Sequence, residues 1–105
     1  MAEHALLVHL KLQHGEFGST EEREAVHALE DELSDALEDA GVGAFDGDDF
    51  GNGESILYMY GPDADKLFDV IQPLLQRSAL TKHGYAIKRY GEAEDEDARE
   101  VRVEF

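Results

Sequence analysis

Apolar and polar positions alternate with a period of two between His4 and Leu12. Leu6, Val8, Leu10 and Leu12 fall on one side, and Ala5, Leu7, His9 and Lys11 on the other. That is strand periodicity with one face more apolar than the other, so partial cover is expected on the mixed face. "QHGEFGS" breaks the strand. The period then lengthens to that of a helix from about Thr20 to Ala40, with Val26, Leu29, Leu33, Leu37 and Ala40 in one stripe. Ser19 stands at the N-cap, with Glu22 at capping-box spacing, and Gly41 is a natural stop. "VGAFD" reads as a short strand. "SILYMY", Ser55 to Tyr60, reads as a stronger one with two apolar faces, which suits a central place in a sheet.

A second helix is predicted within "GPDADKLFDVIQPLLQRS". Its stripe is Ala64, Leu67, Phe68, Ile71, Leu74 and Leu75. Pro62, Asp63 and Asp65 suit its N-terminal end. Pro73 lies inside it, removes a backbone donor and predicts a kink or restart near Gln72. "TKHG" is a turn, and "YAIKRY", Tyr85 to Tyr90, is another strand. "GEAEDEDA" is an acidic connector expected to be extended and solvated. In "REVRVEF", Val101, Val103 and Phe105 point in, while Arg102 and Glu104 point out.

The order β-α-β-β-α-β-β predicts a single α+β domain over residues 1–105. Its first six elements match the ferredoxin-like split βαβ sandwich, and an additional C-terminal strand follows. Both helices would cover one face of an antiparallel sheet. The other face would be half exposed, and dimerisation through it is expected.

Composition narrows the function. With 9 Lys and Arg against 25 Asp and Glu, the formal net charge is −16. Phosphate backbones and anionic membranes need clustered cations, so neither nucleic acid nor membrane is an expected partner. A basic protein remains suitable, and so do solubility and high-salt adaptation as reasons for the acidity. The absence of cysteine removes disulfides and thiolate chemistry. "MAEHALLVHLKL" lacks a basic leader, and cytoplasmic placement is the default. No cofactor is expected.

"FDGDDFGNGE", Phe45 to Glu54, is the main candidate for chemistry. It departs from a helix–loop–helix calcium loop at its fifth position, Phe50, and at its twelfth, Leu57. Asn52-Gly53 signals a type I′ hairpin. Asp46, Asp48 and Asp49 form the weak alternative of a cation site, or a docking surface for a basic partner. His4 and His9, five apart, point to opposite faces of a regular strand, and His27 lies on the polar side of its helix. No histidine pair has a recognised ligand spacing, so no metal ligands and no catalytic residues are assigned. Ser19, Ser34, Ser55 and Ser78 have structural explanations. Lys88, Arg89 and Tyr90, with Arg77 and Lys82, place most positive charge in the C-terminal half.

"ESILYMYGPDADKLFDVIQPLL" followed by "YAIKRYG" resembles a small, poorly characterised group of bacterial single-domain proteins of ferredoxin-like architecture. The likeness implies no reaction or ligand. Element order and acidity are distantly similar to acidic ferredoxin-like regulators that inhibit ribonucleases. The leading expectation is therefore a non-enzymatic interaction or regulatory domain. It would act by self-association or by binding a basic protein, with Asp46, Asp48, Asp49, His9, Tyr58 and Tyr60 in contact. The alternative is a small enzyme or a ligand- or cation-binding domain with its site near residues 46–54.

Overall fold

The computed structural model describes residues 3–92 and 95–105. Its elements are β1 (His4–Lys11), α1 (Thr20–Ala40), β2 (Ala44–Gly51), β3 (Glu54–Gly61), α2 (Ala64–Arg77), β4 (Tyr85–Arg89) and β5 (Glu100–Val103), with a 3-10 turn at Ala79–Thr81 before β4. The sheet order is β2-β3-β1-β4-β5, and every neighbouring pair is antiparallel. This is the ferredoxin-like arrangement with a fifth strand added at the β4 edge.

The core lies between the helices and one sheet face. Leu6, Val8 and Leu10 of β1, Leu57 and Met59 of β3, and Ala86 of β4 meet Leu33 and Leu37 of α1 and Leu67, Ile71 and Leu75 of α2. Each of these is at most 1% exposed, so the apolar stripes read from the sequence form this layer. Two stripe positions differ: Ala40 is exposed and Leu74 is only half-buried. Both lie in the last turn or two of their helices, where the chain leaves the sheet.

The open face carries the alternate residues. In register, Tyr58 of β3, Leu7 of β1, Ile87 of β4 and Arg102 of β5 form one row. Ile56, His9 and Tyr85 form the next. Among the described residues no helix covers this face; Arg102 is exposed and the other side chains of these rows are half-buried.

Local chemistry fixes the element ends. Ser19 Oγ accepts from Glu22 N at 3.1 Å. Glu22 does not complete a capping box. Its carboxylate accepts instead from Gln13 N at 2.7 Å and His14 N at 3.2 Å, pinning the loop that leaves β1. Gly41 closes α1 in the left-handed region at φ 67°. α2 runs unbroken from Ala64 to Arg77 through Pro73, so no restart occurs at Gln72. Pro73 is exposed, and so is Asp69, whose carbonyl loses its helical donor.

Two expectations along the chain are corrected. β2 extends to Gly51, so most of the acidic stretch is strand and only Asn52-Gly53 turns, at φ 55° and 79°. The acidic connector is not a free extended run over its described part. The Arg89 guanidinium donates to the carbonyls of Glu92 and Asp95, and Tyr90 N donates to Arg99 O at 2.8 Å. Residues 93 and 94 of that connector, and Met1 and Ala2 of the N-terminal stretch, lie outside the described residues.

Candidate metal centre

β2 carries a bulge between Phe45 and Gly47, where Asp46 is the extra residue. A bulge shifts the facing of everything after it. Asp46 is left exposed outside the ladder. Asp48, opposite Leu57, then faces the helices, whereas Asp49, opposite Ile56, faces the open side. The three aspartates of the acidic stretch thus point to different places. Asp49 accepts a hydrogen bond from Tyr58 Oη at 2.8 Å. That bond, followed by partial desolvation, raises the Tyr58 pKa above its ordinary value, because the bonded phenol resists ionising beside a carboxylate.

Asp48 meets α1. His27 and Glu30 are three residues apart, a spacing that puts both on one face of a helix. One ligand atom from each of His27, Glu30 and Asp48 lies within 4.8 Å of the others. His27 Nε2 is 3.5 Å from Asp48 Oδ2, and the His27 ring meets Phe50 edge-on at 5.8 Å. Glu30 is the unusual member. It is only 9% exposed, and its Oε2 is buried without any hydrogen-bond partner. Burial raises its pKa to about 8, reinforced by Asp48, toward which the protonated carboxyl can donate, and by the charges of Asp48 and Asp31. A buried carboxyl beside a second one holds its proton because two adjacent charges in low dielectric repel strongly.

A buried carboxyl oxygen without a partner, beside a carboxylate and an imidazole, is a donor set that could hold a divalent cation. Tetrahedral zinc with bonds of ~2.0–2.1 Å separates its ligand atoms by roughly 3.3 Å. The His27–Asp48 distance of 3.5 Å is close to that spacing, but the three atoms together span up to 4.8 Å, so the side chains would draw in around an ion. Three protein ligands would leave a coordination position for water or substrate.

The other residues named from the sequence are dispersed. His9 and Tyr60 face the open side, away from His27 and Glu30. His9 Nδ1 lies 3.3 Å from Glu54 Oε1, and its ring stacks on Tyr85 at 4.5 Å. His4 Nδ1 accepts from Ala64 N at 3.1 Å, so this ring caps α2. The C-terminal cations are largely matched by acids: Lys88 Nζ is 3.1 Å from Asp65 Oδ1, and Arg89 is 2.7 Å from Glu100. Hydrogen bonds from Tyr90 and then Lys88 hold Asp65 below the usual carboxylate range.

Glu30 escaped notice in the sequence because it follows Leu29 in an acidic helix and looks like one more solvated carboxylate. The available signal was His-x-x-Glu spacing beside a core position. The partner from β2 is invisible without the bulge that turns Asp48 toward α1.

No family model, no curated protein and no solved structure matches the chain. The ferredoxin-like topology is therefore what stands of the likenesses seen in the sequence. Neither the bacterial group nor the ribonuclease regulators gain support beyond it.

Proposed function

We propose that this protein is a divalent-cation-binding domain whose ligands are His27 Nε2 and the carboxylates of Glu30 and Asp48. The buried, unpartnered Oε2 of Glu30 carries this reading. A cation would satisfy it and reconcile two carboxyl groups that repel one another. One imidazole with two carboxylates favours zinc or manganese over the all-oxygen sites of calcium. A bound zinc with an open position would polarise water or a carbonyl oxygen, so hydrolytic chemistry is the class of reaction such a centre serves.

Titration calorimetry of the metal-free protein with zinc, manganese and calcium tests the proposal. Zinc should bind one to one, and His27→Ala, Glu30→Gln and Asp48→Asn should each weaken it by about tenfold or more. Zinc binding that survives all three substitutions refutes this site.

A second reading concerns the open sheet face. It is uncovered by any helix, and Tyr58, Tyr60 and His9 are half-buried there beside the exposed Asp49. Self-association or docking of a basic protein on this face would use those residues, with the exposed Asp46 at the β2 edge; Asp48, turned toward α1, takes no part. Sedimentation of the protein and of Tyr58→Glu tests it: a dimer lost in the variant supports the reading, and a monomer throughout removes self-association.

A further inference from the structure

At one end of the open face, β1, the β2–β3 hairpin and the turn before β4 enclose a cleft of about 200 Å³. That volume holds roughly six waters, fewer than a drug-sized ligand needs. His9, Lys11, Asn52, Glu54, His83 and Tyr85 line it. We propose that this cleft binds a small carboxylate anion, independently of the cluster on α1.

His9 is held on two sides. Glu54 Oε1 engages Nδ1 at 3.3 Å, and the imidazole lies nearly parallel to the Tyr85 ring, 10° between planes. Its side chain is 15% exposed. No partner among the described residues engages Nε2, and with Glu54 holding Nδ1–H this second nitrogen donates to an anion in the imidazolium form. The carboxylate behind Nδ1 orders the tautomer, as carboxylates do for functional histidines. β4 lies between β1 and β5, and the Arg102 guanidinium covers Tyr85 at 3.9 Å. The His9–Tyr85–Arg102 stack makes a stiff wall, the Arg102 charge being shared with Glu104 at 3.1 Å.

Lys11 follows His9 by two positions and shares its face. Its ammonium makes no ion pair among the described residues, although Glu54 stands opposite it in register and acids outnumber cations 25 to 9. The backbone here is also unusual. Asn52 and His83 are the non-glycine residues with positive φ among the described residues, and both line this cleft. The hairpin accounts for Asn52. His83, at φ 68°, takes a conformation that glycine adopts without cost, and it brings a second imidazole to the mouth.

The groups offered to a ligand are nitrogen donors: the Lys11 ammonium, the Asn52 amide and, as imidazolium, the rings of His9 and His83. Glu54 is occupied by His9, but its charge is close enough to disfavour a dianion more than a monoanion. Charge and volume together select a carboxylate of a few carbon atoms.

Nitrogen-15 spectra of the histidine rings in metal-free protein, titrated with sodium acetate at constant ionic strength, test this. The His9 and His83 signals should move saturably while those of His4 and His27 stay in place. Lys11→Gln, at an exposed position, should weaken binding about tenfold, and His83→Gly should weaken it without loss of the fold. Parallel titrations use inorganic phosphate at pH 8 and sodium chloride. Weaker phosphate binding is expected. Equal responses to chloride, tighter binding of phosphate, no saturable shift, or an unaltered Lys11→Gln would each overturn the proposal. None of these outcomes depends on zinc binding at His27.

Discussion

Glu30 shows what one buried carboxyl does to a small domain. In the unfolded chain it ionises near 4.5, and in the folded chain only near 8. The folded state therefore holds a proton that the unfolded state has lost between those values. The stability linked to it is fully present below pH 4.5 and disappears as pH rises through 8. In the metal-free protein, Glu30→Gln should flatten this part of the curve, and at pH 8.5 it should be more stable than the native sequence by on the order of 3 kcal/mol. Urea unfolding at pH 5 and 8.5 measures it, and equal pH slopes for the two proteins would contradict the assignment. Ser55 offers a simpler case. Its Oγ is buried without a partner, so Ser55→Ala should be neutral or stabilising by about 1 kcal/mol in thermal unfolding.

Elements here are joined by backbone proximity as much as by side chains. A Cβ at Gly61 would lie 2.2 Å from Val42 O, where the chain entering β2 crosses the end of β3. Gly61→Ala should force those segments apart and cost about 2 kcal/mol or more, read from urea midpoints. At the start of α1, Ser19→Ala removes the cap on Glu22 N and should cost about 1 kcal/mol. Glu22→Ala, by contrast, should free the loop at Gln13 and His14, because its carboxylate serves that loop rather than the helix end. Faster amide exchange at residues 13 and 14, with α1 itself unchanged, is the expected signature.

At the scale of the whole molecule, charge dominates. A net −16 on 105 residues opposes compaction, and the ion pairs that offset it, such as Arg102–Glu104, are largely exposed. Raising sodium chloride from 10 mM to 1 M shortens the screening length from about 30 to about 3 Å. The melting temperature should rise by about 5 °C over that range. A flat response would mean that local pairing already cancels the repulsion. No helix among the described residues is long and apolar enough to cross a membrane, in keeping with a surface of this charge.

The sequence by itself determined the elements and their order. Periods of two and of 3.6, the Ser19 and Gly41 caps and the Asn52-Gly53 turn are local, so composition over a few residues suffices to specify them. It also determined which sides of Val26–Leu37 and Ala64–Leu75 face inward, and from the element order it gave the ferredoxin-like topology. Tertiary structure decided the rest. One extra residue in β2 directs Asp48 to the helices and leaves Asp46 in solvent. The docking of α1 on that strand then buries Glu30 against Asp48 and His27. Desolvation and charge repulsion depend on neighbours 18 to 21 positions away along the chain, which periodicity cannot report. For the same reason the acidic stretch that looked like one loop is divided. One aspartate is in solvent, one hydrogen-bonds Tyr58 on the open face, and one lies in the candidate metal centre.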